Sequence, residues 1–232
     1  MLKNLSLYGA LLLIFQVLVG CNPAAEVKNT DNPDGGTQIA ATTSGRLVIA
    51  FGDSLYAGYQ LAPQEGFVPQ LQKALRGQGL AVSVLNAGVS GDTTAAGRAR
   101  LNFLLDNTPQ KVDLVILGLG GNDMLRGVDP EEVRGNLSAM IAELKKRKIG
   151  IMLTGIVAAP NLGGDYAAKF NPIYSGLARE HGLPLYPFLL DGVITHRELM
   201  LADGIHPNSA GAAEVARRVA PVVAAALKQH GG

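Results

Sequence analysis

The chain has 232 residues, 47% hydrophobic and 17% charged, the balance of a soluble globular protein. Lys and Arg number 20 against 19 Asp and Glu, a formal net charge of +1, which removes the basic surplus a nucleic-acid binder needs. There is one cysteine, Cys21, so a disulfide within the chain is impossible.

The first twenty residues read as a processing segment rather than as fold. Lys3 is a small positive start, and Leu5 to Gly20 is almost wholly apolar. That run is short for a membrane span but suits the apolar core of a signal peptide. It ends Leu18-Val19-Gly20-Cys21, which resembles the bacterial lipobox, whose cysteine is lipidated and becomes the new N-terminus. Leu18 is large for an ordinary secretory cleavage site; a buried Cys in an uncleaved anchor helix is the alternative. Loss of Lys3 with the leader leaves 19 basic against 19 acidic residues. Residues 22 to about 44 are Asn, Pro, Ala, Thr, Asp, Gly and Ser without an apolar period, the composition of a tether. The expected division is a leader over 1–20, a tether over 21–44 and one domain over 45–232. The location implied is the bacterial cell envelope, periplasmic or outer-membrane facing, with a membrane attachment at Cys21.

From Arg46 onward strands and helices alternate. Leu47–Phe51 is a β-branched, apolar strand that stops at Gly52-Asp53-Ser54. The segment 66–76 is a helix with Phe67, Leu71 and Leu75 on one face. Ala81–Leu85 is a second strand, ending Asn86-Ala87-Gly88. Thr93–Leu105 is a helix with Asp92 as its expected cap. Leu114–Leu119 is a third strand, ending Gly120-Gly121-Asn122-Asp123. Pro130–Lys148 is a long amphipathic helix with acids first and bases last, as the helix dipole favours. Its Lys145-Lys146-Arg147-Lys148 run is therefore a solvated helix end. A fourth strand over 149–156, a helix over 166–181, a short strand over 185–189 and a helix over 210–228 complete the chain. Apolar strands alternating with helices predict a parallel sheet covered on both faces.

In such a sheet every strand ends at the same edge, where α/β proteins bind ligands. Ser54 follows the first strand, Gly88 the second and Asn122 the third. Gly52-Asp53-Ser54 alone is equally a turn and a helix cap. A nucleophilic hydroxyl needs a base, and the base needs a group that fixes its tautomer. Asp203 and His206, three residues apart in the loop before the last helix, can supply both. A tetrahedral intermediate also needs donors: the N–H of Ser54, the N–H of Gly88 and the side-chain amide of Asn122 are suitable.

Together these blocks carry a resemblance. Gly52-Asp53-Ser54-Leu55, Gly88, Gly120-Gly121-Asn122-Asp123 and Asp203-x-x-His206 are similar to the four blocks of the SGNH (GDSL) hydrolases. Phe51 to Tyr59, Asn86 to Thr94 and Asp203 to Asn208 resemble the arylesterase and thioesterase/lysophospholipase L1 subgroup. The resemblance covers about residues 46–229. It implies a flavodoxin-like three-layer α/β/α sandwich with a central five-stranded parallel sheet. It also implies Ser54 as nucleophile, His206 as base, Asp203 as its orienting acid, the oxyanion donors named above, and no cofactor or metal. Many relatives are simply secreted or periplasmic, so the apparent anchor is a departure from the group. Tyr56 stands where the α/β-hydrolase elbow G-x-S-x-G has its second Gly, so that other serine motif does not apply.

The remaining polar residues have plainer readings. His181 precedes a Gly stop, His196 lies in a polar stretch and His230 in the tail. Asp53 and Asp123 brace turns. Gly118-x-Gly120-Gly121 lacks the spacing of a phosphate loop. Leu61, Phe67, Met124, Leu125, Ile156, Val157, Leu162 and Tyr166 are candidates for an acyl groove, although core packing accounts for each one singly. The expected activity is hydrolysis of small acyl esters or thioesters at the envelope through an acyl-enzyme. The alternatives are a carbohydrate O-acetylesterase and a non-catalytic binding lipoprotein.

Overall fold

The computed structural model describes residues 45–229. The expected leader over 1–20, the expected lipobox cysteine Cys21, the expected tether over 21–44 and His230 lie outside the described residues. Five strands form one parallel sheet: β1 (Arg46–Gly52), β2 (Val82–Gly88), β3 (Val112–Gly118), β4 (Gly150–Thr154) and β5 (Leu185–Tyr186). Their order is β2-β1-β3-β4-β5. The chain moves outward from β1 to β2, then reverses and crosses to β3. Right-handed crossovers in opposite directions must use opposite faces of the sheet. Accordingly α2 (Phe67–Gly77) lies on one face with α8 (Ser209–Gln229), and α3 (Thr94–Asp106), α5 (Pro130–Lys146) and α7 (Pro172–His181) lie on the other.

Side-chain alternation in the central strands feeds both layers. Val48, Ala50, Leu114, Ile116 and Met152 pack under α2 and α8. Ile49, Phe51, Val115, Leu117, Ile151 and Leu153 pack under α3, α5 and α7. Burial on both faces is why these strands carry unbroken apolar runs. The three-layer sandwich with five parallel strands agrees with expectation.

Strand ends shift by one to three residues from those expected, and four other differences have a physical cause. The helix expected over 166–181 is two helices, α6 (Gly164–Phe170) and α7, because Pro172 has no N–H to continue the first. The cap of α3 is Thr93, whose side chain accepts from the Ala96 N–H, while the expected cap Asp92 pairs with Arg100 at 2.6 Å. Helix α5 stops at Lys146, since Lys148 adopts φ +59° to turn into β4. Strand β5 has two residues, because Pro187 cannot donate to the ladder.

Two short helices complete the upper edge: α1 (Ser54–Ala57) and α4 (Gly121–Leu125). Beneath α1 the last residues of three neighbouring strands are glycines in register, with Gly52 opposite both Gly88 and Gly118. A Cβ on Gly52 would fall 2.2 Å from the Tyr56 ring, one on Gly88 2.3 Å from the Ala57 nitrogen, and one on Gly118 2.2 Å from the Tyr56 hydroxyl. Only hydrogen fits there, so α1 lies directly on the strand ends. Tyr56 is fully buried, its hydroxyl 2.6 Å from Thr154 Oγ1 and its ring edge-on to Phe67 at 5.2 Å.

Asp53 caps α1, its Oδ1 accepting from the Leu55 N–H at 3.0 Å. It is 2% exposed, and burial pushes its carboxyl up to about 6 despite that hydrogen bond.

Two outcomes follow from this floor. Gly118→Ala lowers unfolding free energy by about 1–3 kcal/mol through overpacking. Gly135→Ala, with open space around it in α5, leaves stability unchanged or raises it by up to about 1 kcal/mol. Urea denaturation of both variants reads the contrast. For Asp53, a raised folded pKa means that the folded protein binds the extra proton. Its stabilisation is full below the ordinary carboxylate range, near pH 4, and is lost as pH rises through about 6. The wild type therefore loses on the order of 3 kcal/mol across that window relative to Asp53→Asn. Melts of the two proteins at pH 4 and pH 7 measure the difference.

Candidate active site

Ser54 is the first residue of α1 and is held at the carboxyl end of β1 by the packing beneath it. Its Oγ lies 2.8 Å from His206 Nε2, across 152 residues of sequence. His206 Nδ1 lies 2.7 Å from Asp203 Oδ2. Asp203 Oδ1 accepts from the N–H groups of Ile205 at 2.9 Å and His206 at 3.0 Å. Partial burial pushes the Asp203 carboxyl up, but the His206 and Ile205 N–H groups and the His206 ring outweigh it and hold it at about 2. Asp203 is thus ionised at neutral pH. A carboxylate accepts only, so Nδ1 carries the imidazole proton and Nε2 faces the Ser54 hydroxyl as an acceptor.

The loop that carries this pair closes on itself. Leu201 N–H donates to His206 O at 2.8 Å and Asn208 N–H to Leu199 O at 2.9 Å. Gly204 makes the turn at φ +67°. Tyr59 stacks on the imidazole, with ring centres 4.4 Å apart and planes tilted by 34°.

Of the other expected donors, Asn122 on α4 borders the same cavity as Ser54, while Gly88 at the end of β2 lies beneath α1 against Tyr56 and Ala57 and does not border it. Gly88 ends β2, and its N–H donates to Asn86 Oδ1 at 2.9 Å. That N–H is therefore engaged within β2 in this structure. Asn122 sits in the first turn of α4, with one side-chain N–H donated to the Asp92 carbonyl at 3.0 Å. The amide nitrogen has a second N–H to offer. Asp123 is 1% exposed and accepts from Thr94 N–H at 2.8 Å and Thr94 Oγ1 at 2.6 Å, so it pins α3 to α4 beneath Asn122.

A cavity of about 420 Å³ opens beside Ser54, Asn122 and His206. Its walls are apolar, with Met124, Leu125, Ile156, Val157, Phe188 and Ile194 among them. Four of these were groove candidates by sequence. Leu61 and Phe67 instead border a shallow fold next to Tyr59, on another side of Ser54. Tyr166 turns away, stacking on Phe170 and donating to the Val128 carbonyl at 3.0 Å. Leu162 lies in the 3₁₀ turn Pro160–Leu162 and is not part of the cavity wall. Phe188, Leu190, Ile194 and Ile205 come from the irregular segment between β5 and α8, which has no period to flag them. The other histidines lie elsewhere: His181 precedes the left-handed Gly182 that ends α7, and His196 is exposed beside Glu198 at 3.3 Å. Tyr56, Tyr59 and Arg100 escaped the reading of single motifs. The one signal for Tyr56 was glycine at the end of three successive strands.

This geometry presents a hydroxyl with a base behind it, N–H donors beside it and an apolar cavity in front. Comparison with known proteins agrees. Residues 50–214 match the GDSL-like Lipase/Acylhydrolase family. An arylesterase of Vibrio mimicus is 41% identical over 192 residues, covering 82% of this chain and 92% of the relative. Thioesterase 1/protease 1/lysophospholipase L1 of Escherichia coli is 35% identical over 161 residues, 69% of this chain and 75% of the relative. The crystal structure of AlinE4, an SGNH-hydrolase family esterase, superposes with a TM-score of 0.68 at 46% identity, over 79% of this chain and 97% of that one. The matched region takes in β1 through the first turns of α8, and by that match the chain belongs to the GDSL-like lipase/acylhydrolase family, the SGNH hydrolases.

Proposed function

We propose that this protein, an ester- and thioester-hydrolysing enzyme of its family, works through an acyl-enzyme on Ser54. His206 Nε2 takes the Ser54 proton as Oγ attacks the acyl carbon. Asp203 keeps Nδ1–H in place and stabilises the imidazolium that forms. The proton then passes to the departing alcohol or thiol, and the acyl group stays on Oγ. Water, deprotonated by the same nitrogen, releases the carboxylic acid and restores Ser54. Oxyanion donors are the N–H of Ser54, which as the first residue of a helix has no intrahelical acceptor, and the second amide N–H of Asn122, with the N–H of Gly88 joining them only on release from Asn86 Oδ1. The observation that carries this reading is the pair of hydrogen bonds from Ser54 through His206 to Asp203, at 2.8 and 2.7 Å.

The substrate is an acyl ester or thioester whose chain occupies the apolar cavity. Each methylene buried there contributes about 0.8 kcal/mol, roughly fourfold in kcat/KM. A panel of p-nitrophenyl esters on the wild type, Ser54→Ala and Asn122→Ala tests the reading. Octanoyl exceeds acetyl in the wild type. Ser54→Ala loses turnover and all labelling by an alkyl phosphonate. Asn122→Ala keeps slow labelling and falls about 10²–10³-fold in kcat, since its donor acts on the transition state more than on bound substrate. A preference for acetyl turns the assignment toward an O-acetylesterase. Absence of phosphonate labelling in the wild type makes the protein a binding module.

The protein acts at the bacterial cell envelope, tethered through lipid on Cys21. The support is the Leu18-to-Cys21 block followed by residues 22–44 of tether composition. A single acyl chain binds membrane only marginally, so more than one is attached. Cys21→Ser moves the protein from the membrane fraction to the soluble fraction with kcat unchanged. Retention in the membrane identifies an uncleaved helix instead.

A further inference from the structure

Arg100, on α3, reaches the ends of β1 and β2 and the loop before α3. Its Nη2 donates to the Ala87 carbonyl at 2.9 Å and to the Gly52 carbonyl at 3.1 Å. Its Nε donates to Asp92 Oδ2 at 2.6 Å. Its Cζ lies 4.0 Å from the centre of the Phe51 ring. Three acceptors and an aromatic face thus fix one guanidinium, whose side chain is 25% exposed, against a carboxylate 13% exposed.

The acceptors have particular neighbours. The Ala87 carbonyl belongs to the same peptide group as the Gly88 N–H. A peptide is planar, so an oxygen held at one end sets the direction of the N–H at the other. The positive charge at that oxygen also polarises the N–H toward a negative acceptor. The N–H end of the same peptide is held by Asn86 Oδ1 at 2.9 Å, so the plane is fixed from both sides. The Gly52 carbonyl, which also accepts from Val89 N–H at 3.1 Å, lies two residues before Ser54. Asp92, held by Arg100 through its carboxylate, offers its carbonyl to the Asn122 amide at 3.0 Å. One side chain therefore ties together the ends of β1 and β2 and the loop that aims Asn122.

We propose that Arg100 is a positioning residue for the reaction. Its fork, by anchoring Asp92 to the ends of β1 and β2, sets the Asn122 amide into the orientation that receives the oxyanion. The inference rests on the oxyanion assignment made above. A planar group with donors at both Nε and Nη2 suits this task, and an ammonium cannot replace it, because its three donors sit on one atom at the end of the side chain and none stands at the Nε position that holds Asp92.

The test uses Arg100→Met, which keeps an apolar stem on Phe51, and Arg100→Lys, which keeps the charge. Active sites are counted by complete phosphonate labelling of Ser54. Per labelled site, kcat falls about 10–100-fold in both variants, a part of the 10²–10³ that a whole donor is worth, while KM changes by less than about threefold. Asn122→Ala costs less in the Arg100→Met background than in the wild type, because the amide is already misaligned. A residue that only stabilised the fold would lower the melting temperature and leave kcat per labelled site intact. The proposal is overturned if kcat per site stays within about twofold of wild type in the variants that fold. It is also overturned if the cost of Asn122→Ala is the same in both backgrounds. Arg100→Lys keeps the first criterion available should Arg100→Met not fold. If the wild type fails to label at Ser54, the catalytic reading falls and this inference with it; if it labels normally and the variants keep their kcat, only the role of Arg100 falls.

Discussion

The arrangement depends on one steric constraint, the contact of α1 with three strand ends. Gly52, Gly88 and Gly118 lie side by side, and Tyr56 fills the space that their missing side chains leave. The helix is four residues long and has almost no stability of its own. It exists because Tyr56 is buried below it and Asp53 caps it. Ser54 is consequently a rigid feature of the sheet, even though it sits in what sequence alone would describe as a turn. A 2.8 Å contact with a histidine 152 residues away requires that both ends be fixed independently. The floor fixes one end, and the hydrogen-bonded loop around Gly204 fixes the other.

Two carboxyls near Ser54 are pushed in opposite directions. Asp53 is buried, and burial outweighs the N–H groups against it, so it rises to about 6. Asp203 stands at the surface of the loop, accepts from two N–H groups and the imidazole, and stays at about 2. The same side chain serves as a cap below the serine and as a fixed negative charge behind the histidine. Environment alone separates the two roles. Asp123, below Asn122, takes a third one by joining two helix starts through Thr94.

The serine side of the site and the binding side have different origins. Ser54, Gly88 and Asn122 come from the ends of β1, β2 and β3, where a parallel sheet concentrates them at its switch point. The cavity wall is drawn largely from residues around β4's end and from the segment between β5 and α8. The serine is thus built on a strand end, whereas the irregular segment between β5 and α8 supplies both the Asp203–His206 pair and much of the apolar surface. In such a design loop changes alter the acyl pocket without disturbing the serine.

The sequence by itself determined the layer architecture, because burial on both faces forces apolar strands and each helix carries its own period. It also marked Ser54, His206, Asp203 and Asn122 as candidates, because four polar blocks in this order resemble those of one hydrolase family, and the fold then brings Ser54, His206 and Asp203 into one hydrogen-bonded chain. Helix ends were less legible. The break at Pro172 was visible in one residue, yet the cap of α3 turned on whether Thr93 or Asp92 reached the helix N–H, and Arg100 took Asp92 from across the helix. The tertiary structure alone decided which glycines form the floor, which half of the apolar candidates line the cavity, and that Arg100 and Tyr59 adjoin the site. These are contacts between segments tens to hundreds of residues apart. Local pattern records only what a residue does within its own helix or strand; packing between layers sets the rest.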